Sequence, residues 1–184
     1  MSTATQTQLP AGTWALDTVH STVGFGVKHL GINTYRGQFP GIEGHVVTRD
    51  GRITEITGTA QIDSLVTKDA TLTGHLLTPD FFDAANHPTG TFRSTSVELS
   101  GEDVRIEGEL TLRGVTRPVT LAGTLGLGQD PYGNTRIGIA VSGQINRLDY
   151  GISWNTVMDN GVPAVAERVR LEWEVEAILA GAEA

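Results

Sequence analysis

The amino-acid sequence predicts an all-β fold, and three observations carry that reading. Apolar residues recur at every second position in run after run, the runs are long, and Gly, Asn and Asp separate them. A period of two sends alternate side chains to opposite faces of a strand. Strands that are apolar on one face only stand with the other face in water, as antiparallel sheets do. At ~3.3 Å per residue, strands of ~10–12 residues span roughly 33–40 Å. About eight such strands in succession point to an antiparallel barrel, whose closure removes exposed edges. A two-sheet sandwich satisfies the same periodicity.

Taken in chain order, MSTATQTQLPAG reads as a short tail, so residues 1–11 are expected to be disordered and 12–179 to form one domain. It has no basic start and no apolar core, unlike a signal peptide, and the expectation is a cytoplasmic protein. In 19–29, Val19, Ser21, Val23, Phe25 and Val27 share an apolar face that His29 continues, against His20, Thr22, Gly24, Gly26 and Lys28. In 53–62, Ile56, Gly58, Ala60 and Ile62 alternate. The segment TKDATLTGHLL (67–77) breaks the pattern: Ala70, Leu72, Leu76 and Leu77 recur at helical offsets after Thr67, a candidate N-cap. TPDFFDA (78–84) offers a second helical start, with Thr78 as cap and Pro79 in the first turn. It carries Phe81 and Phe82 side by side, of which at most one is expected to point fully inward.

Strand character returns in DVRIEGELTL (103–112), where Val104, Ile106, Gly108, Leu110 and Leu112 share a face. LTLRGVTRPVTL reads as a hairpin turning at Gly114, with Pro118 ending the loop and Val119 resuming the strand. Arg113 and Arg117 stand at its rim, either as solvated charges or as contacts for an anionic head group. Val119, Leu121, Leu125 and Leu127, then Ile137, Ile139, Val141 and Ile145, alternate in turn. In NRLDYG, Arg147 and Asp149 lie two apart, which favours an ion pair over a phosphate contact by the arginine fork. RVRLEWEVEAIL (168–179) closes the chain with Val169, Leu171, Trp173 and Val175 opposite a charged row.

The totals narrow the function classes. The chain has 184 residues, 39% hydrophobic and 18% charged, a globular balance. A net charge of -8 argues against nucleic acid and anionic membranes as partners, and no apolar run suits stable membrane insertion. Without cysteine there are no disulfides, thiolate metal sites or thiol nucleophile. His20 and His29 are nine residues apart, an odd step that puts them on opposite faces of a regular strand. No histidine pair has the spacing of a local metal site, and no nucleophile elbow, P-loop or dinucleotide fingerprint is present. His29 therefore reads as a polar group ending an apolar face, satisfied by a backbone carbonyl or by the head of an amphiphile.

Five stretches, in this order, resemble the YceI-like family of polyisoprenoid-binding proteins: LDTVHSTVGFGVKHLG (16–31), GQF (37–39), HLLTPDFFDAANHPTGTFRST (75–95), GELTLRGVTRPVTL (108–121) and INRLDYGISW (145–154). The resemblance implies an eight-stranded antiparallel lipocalin-like barrel with short helical insertions near the mouth of a long apolar channel. It also implies an isoprenoid, quinone or other fatty amphiphile as ligand, with no cofactor required. Thr73 and Gly74 stand where an Arg-Asp pair is expected in that family.

The residues agree with a hollow barrel, since the expected inward faces are rich in small side chains: Gly58, Ala60, Gly108, Gly123, Gly143 and Ala177. Glycines also mark bulges and coiling, so two readings of them stand. The expected binding residues are Phe25, Val27, His29, Phe39, Leu72, Leu76, Phe81, Phe82, Phe92, Arg147 and Trp154. The function expected is non-catalytic carriage or storage of a long-chain lipid, with 67–84 as lid. An enzyme acting on such a lipid through His29 or His75 is the second reading. A solid-core barrel working through protein contacts, for instance as a homodimer, is the third.

Overall fold

Alternating side chains build nine strand segments into one closed antiparallel wall, and the computed structural model describes residues 8–180 of it. The segments are β1 (Gly12–His29), β2 (Asn33–Gln38), β3 (Ile42–Arg49), β4 (Arg52–Gln61), β5 (Thr89–Ser100), β6 (Asp103–Leu112), β7 (Val115–Gln129), β8 (Thr135–Asn146) and β9 (Val165–Leu179). Each pairs with its neighbour from β3 onward, and β9 pairs back along β1. β2 lies on the C-terminal half of β1 (Gly24 opposite Gln38) and β3 on its N-terminal half (Trp14 opposite Val46). They are two pieces of one wall position, interrupted at Phe39–Pro40–Gly41, where proline has no N–H for the ladder. The barrel is thus eight-stranded, and the sandwich alternative falls.

β1 is the strand whose face changes. From Asp17, opposite Glu176, to Thr22, opposite Glu174, it advances five residues while β9 advances two. An odd surplus of three swaps every later side chain to the other face. Trp14 and Leu16 point inward before the bulge, and Val23, Phe25 and Val27 after it. The expected continuous face therefore fails at its start: Val19 is 83% exposed, and Ser21 donates to the Asp17 carbonyl while accepting from the Glu176 N–H. The Asp17 carboxylate accepts from the Val19 amide (3.0 Å) and the His20 ring (2.9 Å). Arg136 then ties Asp17 (2.6 Å), Glu176 (2.6 Å) and Asp130 (3.0 Å) together across β1, β9 and the β7–β8 turn.

One end of the barrel is shut. Trp14 is fully buried and donates to Thr48 Oγ1 (2.8 Å), whose own proton goes to the Pro10 carbonyl. Leu9, 3% exposed, bridges to Gly51 beneath it. Residues 8–11 thus belong to the fold, a correction to the expected tail; residues 1–7 lie outside the described residues.

The opposite end carries the insertion between β4 and β5. A 3-10 turn (Ile62–Ser64) leads to a single helix, α1 (Ala70–Leu76). Asp69, rather than Thr67, caps it by accepting from the Leu72 amide, while the Thr67 hydroxyl reaches Thr73. Residues 78–84 form turns instead of a second helix, because the Phe82 and Ala84 amides fold back onto the Leu76 and Leu77 carbonyls. The β6–β7 hairpin is tighter than expected. Arg113 and Gly114 both take positive φ (51° and 71°), the two-residue turn that matches strand twist, so Pro118 sits within β7 opposite Glu109. Among the described residues no helix is long and apolar enough to cross a membrane.

Two outcomes follow from these contacts. Thr48→Val leaves the Trp14 N–H buried without an acceptor, and denaturant titration is expected to show a loss of ~1–3 kcal/mol. Arg136 and neighbouring amides hold the Asp17 carboxyl well below the usual carboxylate range, and Asn134, the backbone and Arg136 lower Asp130 to about 2. Carboxyls depressed in the folded state contribute stability above their unfolded pKa of ~3.9, and lose it as pH falls through the folded value. Stability is therefore expected to fall progressively as pH drops from about 4 toward about 2, less steeply in Asp130→Asn.

Candidate functional site

Inward faces that fail to meet across the bore leave a cavity of about 480 Å³. Leu16, Ile106, Leu121, Ile137 and Val175 bound its deep part. Val23, Ile56, Ala60, Ile145, Val169 and Trp173 point inward yet are only half-buried, since they border space rather than other side chains. Across the middle, Phe92 meets Trp173 edge-on at 5.2 Å.

The glycines divide between the two expected causes. A Cβ at Gly58 would meet nothing closer than the Glu43 carbonyl at 3.8 Å, so this glycine leaves volume in the bore. A Cβ at Gly108 would strike the Phe92 ring at 2.5 Å, and one at Gly123 would collide with the Ala140 carbonyl. Gly143 faces the Thr120 carbonyl at 2.5 Å. Those three admit close-passing neighbours, and Gly108 is not a place where a larger residue could reach free space.

Two aromatic clusters flank the open end. Phe25, Phe39 and Phe82 pack within 5.5–6.0 Å of one another. Phe81 and Trp154 stand 5.2 Å apart, and the His75 ring meets both edge-on at 5.0 and 5.2 Å. Phe81, buried, and Phe82, half-buried, both border the cavity, because turns rather than a helix splay them to different clusters. His75 Nε2 is 3.2 Å from Asp80 Oδ2. Arg113, whose charge looked solvated, donates to the Pro79 and Phe81 carbonyls (2.8 and 2.5 Å) and holds this turn over the mouth.

All eleven residues expected to bind ligand border the cavity. Phe25, Phe39, Leu76, Phe81 and Phe92 are buried, and Val27, Leu72, Phe82 and Trp154 are half-buried. His29 ends β1 at the rim and is exposed, so it is no core histidine held on a carbonyl. Arg147 needs a larger correction. It lies in a 3-10 turn (Arg147–Tyr150), 3% exposed, and donates to the carbonyls of Ala166 (2.9 Å), Ile152 (2.5 Å), Trp154 (2.9 Å) and Val165 (3.2 Å). These four bonds spend most of its five N–H groups on the β8–β9 connection and the first residues of β9. Neither the pair with Asp149 nor a fork free for phosphate is found. Burial lowers its pKa, opposed by Glu167.

Tyr35 also lines the cavity, and no motif singled it out. Its hydroxyl, like that of Tyr150, is buried without a hydrogen-bond partner among the described residues. Burial pushes the Tyr35 phenol up, and raises Tyr150 to about 12 with help from Asp149. Two polar groupings lie outside the bore. Asp17, His20 and Glu176 have the proximity of a metal site, yet Arg136 already occupies both carboxylates. His45 joins Glu55 (3.0 Å) and Thr57 on the outer wall, but the Thr57 hydroxyl lies almost as near Nε2 (3.4 Å) as Nδ1 (3.0 Å). That geometry aligns it with neither nitrogen as a nucleophile would be.

The comparisons with known proteins agree with this architecture. The model of the YceI-like domain matches residues 14–177. Protein YceI of Escherichia coli O157:H7 is 37% identical over 136 residues, covering 72% of this chain and 71% of that protein. A UPF0312 protein of Pseudomonas aeruginosa is 36% identical over 162 residues, covering 86% and 82%. Among solved structures, a YceI protein of Campylobacter jejuni superposes with a TM-score of 0.72 at 26% identity, covering 83% of this chain and 90% of that one. A polyisoprenoid binding domain from Saccharophagus degradans, implicated in plant cell wall breakdown, gives 0.66 at 14%, covering 93% and 100%.

Arg147 is expected to be a stability residue first. Arg147→Met strands several buried carbonyls, and at ~1–3 kcal/mol for each unsatisfied group the loss should reach about 3 kcal/mol or more in denaturant titration.

Proposed function

Because the chain belongs to the YceI-like domain family, we propose that it binds a long-chain amphiphilic lipid within the barrel, as a non-catalytic carrier or store. The observation that supports this most directly is the apolar cavity of about 480 Å³, closed beneath by Trp14 and open beside α1. An isoprenoid, a quinone or a fatty amphiphile has the chemistry to occupy it, and the solved relative named as polyisoprenoid-binding shares the fold. The reading needs no cofactor, since burial alone supplies the affinity.

Volume sets how much chain fits. At roughly 30 Å³ for a methylene-sized group, the share a water molecule takes in the liquid, the cavity holds about sixteen carbons. Each buried CH₂ contributes ~0.8 kcal/mol, so about sixteen give ~13 kcal/mol. Association itself costs ~4–15 kcal/mol, which only a long chain offsets. A tail of about eight carbons would supply ~6 kcal/mol and bind weakly. Longer isoprenoids would leave their remainder at the mouth.

The test is a series of straight-chain alcohols bound by the purified protein. Affinity is expected to rise about four-fold per carbon and level off near about sixteen carbons. Gly58→Leu, which projects four carbons into the bore, should move that plateau to about twelve. Affinity independent of chain length, or untouched by Gly58→Leu, would overturn the reading. Gentle-ionisation mass spectrometry should show lipid bound and returned with its mass unchanged; a converted product would point to an enzyme instead.

A further inference from the structure

Two turns border the mouth, and each exposes one aliphatic side chain. The β1–β2 turn presents Ile32, 80% exposed. The loop before β9 folds into a small hairpin, with Val157 bridged to Pro163 and the Met158 amide on the Val162 carbonyl. Its Val157 is 65% exposed. The turns touch: the Leu30 amide donates to the Ala164 carbonyl, and a Cβ at Gly31 would lie 3.9 Å from Val162. His29 and Ala164, which start and end these turns, both line the cavity. Ile32 and Val157 therefore stand on turns that adjoin the opening.

Charge narrows what could cover them. Lys28 precedes one turn and Asp159 tips the other, one charge of each sign, on a chain of net charge -8. That balance fits an uncharged or zwitterionic surface and disfavours an anionic one. Aliphatic side chains on protruding turns gain by entering the boundary between head groups and acyl chains. Such a surface is also where a water-insoluble chain resides. We propose that this end of the barrel docks on a zwitterionic lipid bilayer, Ile32 and Val157 entering the head-group layer, so that lipid passes into the cavity without crossing water. This rests on the lipid-binding reading above.

Phosphatidylcholine vesicles carrying a pyrene-labelled fatty alcohol test it. Wild-type protein is expected to float with the vesicles and to take up the probe at a rate that rises with vesicle concentration. The double variant Ile32→Asp, Val157→Asp should lose flotation and slow uptake at least ten-fold, while binding the same probe from detergent micelles as wild type does. Val19→Asp, an equal change on the barrel wall, should match wild type in every arm, and circular dichroism checks that all three remain folded. Uptake indifferent to vesicle concentration, or a double variant equal to wild type, would overturn the docking and leave the lipid-binding reading standing. Stronger flotation with phosphatidylglycerol than with phosphatidylcholine would overturn it too, by showing an electrostatic contact. A wild-type protein that takes no probe even from micelles would remove the lipid-binding reading and this proposal with it.

Discussion

Closure is the constraint from which the rest of the structure follows. Once β9 pairs with β1, the number of strands fixes the bore, and side chains either fill it or leave it open. Here the filling is graded along the axis. Trp14, Leu9 and Ile53 plug one end, Phe92 and Trp173 cross the middle, and Gly58 and Ala60 leave the upper bore unfilled. Without the surplus of three residues in β1, either Trp14 or Phe25 would face water. The Asp17–Arg136–Glu176 contacts that hold the bulge thus decide whether one strand can serve both the plug and the channel.

The mouth is organised by a different economy. Its two committed arginines act on backbone: Arg113 holds the 79–81 turn, and Arg147 gathers two carbonyls from the β8–β9 connection and two from the start of β9. Irregular chain beside an apolar bore leaves carbonyls without strand partners, and a buried guanidinium satisfies several at once. That frees the loops to present rings. Phe81, Phe82 and Trp154 come from such loops, and their ring contacts, edge-on between Phe39 and Phe82 and tilted between Phe81 and Trp154, give the rim a fixed shape.

Much of this was legible in the sequence. β6 is legible to the residue, and the inward row of β9 from Val169 onward, since uninterrupted alternation is a local signal; Val165, which opens β9, is not. Phe25, Val27 and Phe92 border the cavity from strands, whereas Leu72, Leu76, Phe81, Phe82 and Trp154 reach it from the helix and loops. What escaped depends on contacts remote in the chain. The flip in β1 is invisible because Val19 and Ser21 keep the alternation going across the bulge. Arg147 next to Asp149 suggests a pair, and only the returning loop reveals the carbonyls it serves. Gly58 and Gly108 look alike in sequence, yet one borders space and the other Phe92. β2 and β3, too short and too polar to declare themselves, were missed as strands, and Tyr35 with them.

An open bore also bears on stability. Core cavities cost about 24 cal/mol per Å³, which for about 480 Å³ amounts to ~11 kcal/mol. Water entering at the mouth makes that an upper bound, but it is the size of a whole domain's folding free energy, ~5–15 kcal/mol. The ladders of eight long strands must therefore hold the wall open without help from a filled centre. An occupant would add dispersion contacts to Val23, Ile56, Val169 and Val175, half-buried side chains that border the cavity. Folding and binding then draw on the same surface: what the empty barrel gives up in packing is the driving force available to a chain of carbons.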